Sequence, residues 1–241
     1  MDIADLNELW DRVTGTQPRP ETWLVLATAA LALAAVLPFG VWRWTRNTIT
    51  IAHEGGHGLI ALLAGRQLSG IRLHSDTSGL TVSRGKPTGP GMVLTAVAGY
   101  PAPSLLGLAG AALLSAGRTT ALLWGATGLL LALLVMVRNA YGVLTVVLTC
   151  ASFVLVSWLT EPDVQAAFAY LVVWFLLLGG VRPVFELHGR RRRRHRGGQG
   201  AGSDADQLAG LTGVPAWVWL ILFHVVTLAS LSGGARWLLD G

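Results

Sequence analysis

Charged residues are scarce in this chain of 241 residues. Asp, Glu, Lys and Arg make up 13% of it, about half the share that is usual in a soluble domain. Hydrophobic residues make up 52%, and the mean hydropathy is +0.55. This composition excludes an ordinary soluble domain and predicts an all-α protein whose helices cross a lipid bilayer several times.

Cysteine is almost absent, since Cys150 is the single one. One cysteine excludes an internal disulfide, and its apolar surroundings indicate a small core residue. Residues 1–21 are polar and have no basic start ahead of the first apolar run, so we expect that run to remain as an uncleaved membrane anchor.

Apolar stretches long enough to span a membrane predict seven transmembrane helices, or six if one stretch is re-entrant. They are 22–40, 44–65, 91–115, 120–137, 141–160, 166–185 and 215–236.

Basic residues divide unequally between the two sides if the seven spans alternate: 14 of the 18 Lys and Arg residues fall on one side. The positive-inside rule then predicts a cytosolic amino-terminal segment 1–21, a cytosolic loop 66–90 and a basic cytosolic loop 187–214. Residues 22–186 form the predicted membrane core, and 215–241 contain the last span and an external carboxyl terminus.

The run Arg190 to Arg194 adjoins the predicted sixth span and is followed by glycines. No aromatic residues alternate with these arginines, as they do on many nucleic-acid-binding surfaces. We interpret the run as a topology determinant that lies on anionic lipid, and we expect no nucleic-acid partner.

The most informative motif is His53-Glu54-Gly55-Gly56-His57, within the apolar stretch 49–64. On a helix, residues four apart share a face, so the two imidazoles can bind one metal ion while Glu54 reaches a metal-bound water. Three ionisable groups in a membrane segment are costly unless they serve a site. Paired glycines predict close approach of another backbone.

A β-hairpin is predicted over 70–84, directly after this helix. Ile71 and Leu73 alternate with polar residues before a turn at 76–79, and the alternation then resumes. Such a hairpin can offer a strand edge to an unwound substrate. His74 is interpreted as a solvent-facing residue and Asp76 as a turn former.

The third predicted span begins with Ala98-Gly99-Tyr100-Pro101-Ala102-Pro103. Its prolines and glycines predict a kink, and we expect this segment to pack against Gly55 and Gly56.

These elements together resemble the site-2 protease family of intramembrane metalloproteases, most closely its compact actinobacterial and plant branch. The resemblance covers about 48–211, including Ser203-Asp204-Ala205-Asp206. It implies a zinc ion, cleavage of membrane-embedded protein substrates and a bacterial plasma membrane. By that resemblance His53 and His57 are zinc ligands and Glu54 is the general base.

The third zinc ligand departs from the family pattern, which supplies an aspartate from a Leu-Asp-Gly or Asn-Pro-Asp-Gly segment. Here the comparable break reads Val-Arg-Asn-Ala-Tyr-Gly over 137–142, which makes Asn139 the expected third ligand. Asn139 is also typical of a turn or helix cap. Glu186 and Asp204 are the carboxylate alternatives, and Ser203 and Asp204 are equally typical of helix caps.

The predicted function is therefore a zinc-dependent intramembrane endopeptidase in which Glu54 activates a zinc-bound water. The alternative is a non-catalytic membrane scaffold that retains a degenerate protease core. A transporter is disfavoured because the sequence contains no internal repeat.

Overall fold

A computed structural model describes residues 15–194 and 202–240 of the chain. Residues 1–14, 195–201 and 241, and the side chains of Arg190 to Arg194, lie outside the described residues, and so do the predictions that fall on them. The elements, in chain order, are α1 (Thr22–Val36), α2 (Phe39–Leu63), β1 (Gln67–Leu73), β2 (Gly79–Arg84), α3 (Pro90–Val97), α4 (Pro101–Ser115), α5 (Thr119–Met136), α6 (Ala140–Leu159), α7 (Pro162–Arg194), α8 (Asp204–Thr212) and α9 (Ala216–Asp240).

The predicted all-α polytopic fold with a small hairpin is confirmed. Within the described residues, α5, α6, α7 and α9 are each long and apolar enough to cross a membrane. Two further pairs pass the same test but are bent, α1 with α2 by 103° and α3 with α4 by 69°. The count therefore reaches six if each pair is one span. The predicted count of seven treated the two halves of the first pair as separate spans.

The core lies around α7, which packs against α1, α4 and α9. Glycines let these helices approach closely, because a Cβ at Gly107 of α4 or Gly234 of α9 would press on the Leu177 side chain of α7. Gly110 faces Val173 in the same way. Along α4 the residue numbers rise as those of their α7 partners fall, so the two helices are antiparallel.

The described start of the chain lies at the end of the bundle that is remote from the hairpin. Gln17 N donates to Gly117 O at 2.8 Å, in the turn between α4 and α5, and Arg19 donates to Leu238 O near the end of α9. The hairpin contacts the opposite end of α5, at Val137. Residues 17–19 and the hairpin therefore lie at opposite ends of the bundle. The distribution of basic residues, in contrast, predicted that segment 1–21 and the hairpin loop lie on the same side of the membrane.

The bend between α1 and α2 is held by four side chains that we call the clamp cluster: Trp42, Arg46, Arg182 and Glu186. Glu186 accepts hydrogen bonds from Trp42 Nε1 at 2.9 Å and Arg182 Nε at 3.1 Å, and it lies 3.1 Å from Arg46 Nη1. Arg182 also donates to the carbonyls of Val36 and Leu37 at the bend itself. These contacts turn α2 across the end of the bundle where α7 ends.

The hairpin pairs β1 with β2 in antiparallel register, with Ile71 opposite Thr81 and Leu73 opposite Gly79. It starts at Gln67, three residues before the predicted boundary. The second edge of β1 contacts Val137 between α5 and α6, where Arg138 N donates to Ile71 O at 2.9 Å. Ile71 and Leu73 are buried with α2 and α6 residues, so the hairpin is fixed on both sides.

Candidate metal centre

Helix α2 places the two motif histidines on one face. Their Nε2 atoms lie 3.2 Å apart, as the spacing of four residues predicts. His57 is buried, and His53 makes an edge-to-face contact with Tyr100, which in turn stacks on Phe223 of α9. The two rings are thus held by packing as well as by the helix.

The tautomer of His57 is set by a backbone carbonyl. Its Nδ1 lies 2.7 Å from Thr95 O in α3, and a carbonyl can only accept, so Nδ1 carries the proton. In the neutral imidazole, which is the form that binds a metal, Nε2 then carries the lone pair, and this atom lies 3.2 Å from His53 Nε2. A hydrogen bond of this kind orients a metal-binding imidazole in many proteins.

The break between α3 and α4 brings main chain close to both imidazoles. A Cβ at Gly99 would overlap His57 Nε2 and lie 2.7 Å from His53 Cε1, so position 99 has room only for glycine. A Cβ at Gly56 would overlap Ala102 and lie 3.0 Å from Ala98 O. The predicted packing of the 98–103 segment against the paired glycines is therefore confirmed at Gly56.

Asp204 reaches the same point from the first turn of α8. Ser203 is the N-cap: its hydroxyl accepts from Asp206 N, and the Asp206 carboxylate accepts from Ser203 N in a reciprocal capping box. The caps of α8 are thus Ser203 and Asp206, which leaves the Asp204 side chain available. Ala205 and Leu208 are fully buried against α3, α7 and α9 and fix the helix there.

His53, His57 and Asp204 form the candidate metal centre. Asp204 Oδ2 lies 3.4 Å from His53 Nε2 and 3.3 Å from His57 Nε2. Atoms that bind zinc tetrahedrally at 2.0–2.2 Å lie roughly 3.3–3.6 Å from one another. The three edges of this triangle, 3.2 to 3.4 Å, therefore fit a zinc ion held by three protein ligands.

The chemistry of the aspartate agrees with that fit. Asp204 Oδ2 is buried and has no hydrogen bond of regular geometry within the described part of the chain. Burial alone would raise the pKa of Asp204, but the close polar contacts with His53 and His57, and the positive charge of these imidazoles when they are protonated, hold that pKa below its usual range. The group is thus an ionised carboxylate, the form that binds a metal.

Glu54 lies beside this centre on the next position of α2, but its carboxylate is not one of the three converging groups. Its side chain is buried, with 5% of the residue exposed. Thr81 of β2 donates to Glu54 Oε2 at 2.6 Å. Glu54 therefore lies next to the three converging groups and is not one of them.

Asn139 and Glu186 do not reach the centre. The Asn139 amide donates to Leu73 O at 2.7 Å and accepts from Leu73 N at 3.1 Å, so both of its functional atoms serve the backbone of β1. Glu186 belongs to the clamp cluster. The expectation of Asn139 as third ligand therefore fails on geometry, and Asp204, one of the two alternatives, lies in that place.

Three other polar residues, His74, Asp76 and His224, lie outside the candidate metal centre. His74 is exposed in the hairpin turn, where Asp76 accepts hydrogen bonds from Ser78 N and Ser78 Oγ that keep the pKa of Asp76 below its usual value. Asp76 is a turn former, as predicted. His224 Nδ1 donates to the Leu220 carbonyl within α9, away from this centre.

A family model described as Peptidase M50B-like matches residues 26–234. The chain belongs to this family, which is that of the site-2 proteases. No curated protein and no solved structure matches the chain.

Membership in the M50B-like family agrees with the predicted resemblance and extends it over nearly the whole described chain. The matched range includes His53, Glu54, His57 and Asp204. The M50B-like chain is thus an integral membrane protein of the metallopeptidase kind, with a His-His-Asp group that can hold a metal ion.

Proposed function

We propose that this protein is a zinc-dependent intramembrane endopeptidase that hydrolyses peptide bonds of membrane-embedded protein substrates. The observation that carries the proposal is the triangle of His53 Nε2, His57 Nε2 and Asp204 Oδ2. Zinc bound there would polarise a carbonyl and lower the pKa of a coordinated water. The family relationship supports peptide hydrolysis as the reaction.

Glu54 is the proposed general base. Its carboxylate accepts a proton as water adds to the scissile carbonyl carbon, and it passes that proton to the amine as the C–N bond breaks. The buried position of Glu54 excludes competing bulk water from this transfer.

The substrate is proposed to bind as an added strand on the hairpin. Within the described residues β2 pairs only with β1, while the second edge of β1 contacts Val137. The free edge of β2 therefore offers main-chain hydrogen bonds close to Glu54. An extended segment bound there has its carbonyls released from helical hydrogen bonds, as hydrolysis requires.

The hairpin end is proposed to face the cytosol of a bacterial plasma membrane, because most basic residues lie on that side. The metal centre lies at this end, since Asp204 follows α7. In this orientation Gln17 and Arg19 face the opposite side of the membrane, together with the end of α9. Cysteine labelling at position 16 from either side of a sealed vesicle tests this.

The proposed function is tested by reconstituting wild type and His57→Ala into liposomes with fluorescent single-span peptides. We expect near-stoichiometric zinc and new peptide termini by mass spectrometry for wild type, and neither for His57→Ala. A wild type that takes up no added zinc and cuts none of the peptides would leave the non-catalytic scaffold as the better description.

A further inference from the structure

The hairpin makes a direct contact with the Glu54 side chain. Thr81 Oγ1 lies 2.6 Å from Glu54 Oε2 and 3.1 Å from the main-chain oxygen of Glu54. A hydroxyl group has a single proton to donate, and the shorter contact, to the charged carboxylate, is the stronger one. Thr81 thus donates to one oxygen of the proposed base.

The strand also lies close to Glu54 at Gly79, two residues before Thr81 on the same face of β2. A Cβ at Gly79 would overlap Glu54 Cγ and lie 2.5 Å from Oε1. Leu80 and Val82 project from the other face and are exposed. On the face of β2 that meets α2, Thr81 and the main chain at Gly79 meet the carboxylate, while Ser83 accepts a hydrogen bond from Arg66.

The strand that carries Thr81 is itself held in place by hydrogen bonds. The Asn139 amide holds both main-chain groups of Leu73, which is paired with Gly79 in the register, and Ile71 is paired with Thr81. A hydroxyl on a fixed strand restricts the rotation of a side chain that has three rotatable bonds.

We propose that Thr81 is a positioning residue for Glu54: its hydroxyl holds Oε2 and so directs Oε1 for proton transfer. This inference rests on the proposed peptidase function. It also gives Asn139 a place in the site, as a support of the hairpin that carries Thr81 and not as a metal ligand.

The test compares kcat and KM of Thr81→Val and Thr81→Ser with wild type and Glu54→Gln, using fluorescein-labelled casein in detergent as an unfolded probe. Thr50→Val is the matched control, because Thr50 also joins α2 to the hairpin, through Thr77 O at 2.9 Å. Zinc content is measured on every variant.

We expect Thr81→Val to lower kcat on the order of 100-fold, with KM and zinc content unchanged. Thr81→Ser restores most of the rate because it keeps the hydroxyl. Thr50→Val retains the wild-type kcat, and Thr81→Val has no further effect in a Glu54→Gln background.

Four outcomes would overturn the inference. A wild-type kcat for Thr81→Val would show that the hydroxyl is dispensable. An equal loss of kcat in Thr81→Val and Thr81→Ser, or a loss of zinc, would show that Thr81 contributes to packing and does not position Glu54. A wild type that takes up zinc but shows no cleavage above the enzyme-free background would instead remove the proposed peptidase function, and the role of Thr81 with it.

Discussion

Helix α2 carries two polar clusters, and they differ in how their charges are satisfied. In the clamp cluster near its start, Glu186 is matched by two arginines and a tryptophan N–H. In the metal centre, Asp204 Oδ2 converges with two imidazole nitrogens, which in their neutral form carry lone pairs that can bind a cation.

The difference separates a structural cluster from a ligand site. Both clusters place a carboxylate among nitrogen atoms at the same end of the bundle, and the sequence offered both carboxylates as metal ligands. Arginines stay protonated, so they can only pair with the carboxylate, and these pairs hold the bend in place. A neutral imidazole has a nitrogen lone pair, so two imidazoles and a carboxylate can bind a cation between them. Substitutions in the two clusters should therefore have separable effects.

The largest effect is expected for Glu54→Gln, which removes the proposed base but keeps the side-chain volume. Cleavage should fall by about 10²–10⁴-fold, the usual contribution of a general base. Zinc content should stay at the wild-type level because Glu54 is not among the converging ligands. Peptide cleavage and metal analysis on the same preparation check both parts, and retained cleavage would exclude Glu54 as the base.

Gly99→Ala should weaken zinc binding on the order of 100-fold, an effect typical of groups that orient metal ligands. The added methyl group would displace the His57 ring, since a Cβ there overlaps Nε2. Competition with a zinc-chelating dye measures the affinity. Gly128→Ala on α5 is the control, because no atom lies within 4 Å of the added Cβ, and unchanged affinity in Gly99→Ala would contradict the geometry.

Glu186→Ala should lower the free energy of unfolding by about 2 kcal/mol, because Arg46 and Arg182 lose their charged partner. Unfolding in a denaturing detergent gives the change. Zinc content should remain at the wild-type level. Loss of zinc in this variant would mean that the clamp cluster is part of the metal centre after all.

The smallest effect is expected for Ser203→Ala, which removes the N-cap of α8. The cost should be about 1 kcal/mol of stability. Since α8 carries Asp204, zinc affinity should fall several-fold as the first turn frays. The control is Ser232→Ala, which removes an exposed hydroxyl that bonds only within α9. Equal zinc affinity in both variants would show that the cap does not position Asp204.

The local parts of the site were predictable from the sequence because they depend on spacing within one element. The interval of four residues places His53 beside His57, and the alternation over 70–84 predicts the hairpin. The paired glycines also predicted close approach by the 98–103 segment. Each of these inferences needs only helix or strand periodicity.

The third group of the candidate metal centre, Asp204, was not predictable in the same way because its position depends on packing between distant elements. Asp204 is 147 positions after His57, and its approach requires α8 to pack on α3, α7 and α9. The available signal was Ser203-Asp204-Ala205-Asp206, in which a capping box uses Ser203 and Asp206 and leaves Asp204 free. Asn139 lies at the expected break between spans. Its amide has both a donor and an acceptor, and these bind the two main-chain groups of Leu73 at the end of β1.

The bend between α1 and α2 escaped prediction for a similar reason. Pro38 marks a break in the helix. The bend angle, however, is fixed by the two clamp-cluster residues of α7, Arg182 and Glu186, which are more than a hundred residues later in the chain. The predicted side of residues 1–21 depended on counting two spans there.

The most direct test is the zinc content of Asp204→Ala beside that of Glu186→Ala, each purified without chelator and measured by mass spectrometry. We predict a zinc-free Asp204→Ala and a nearly stoichiometric Glu186→Ala. Full zinc in Asp204→Ala, or its loss only in Glu186→Ala, would contradict the assignment of the metal centre.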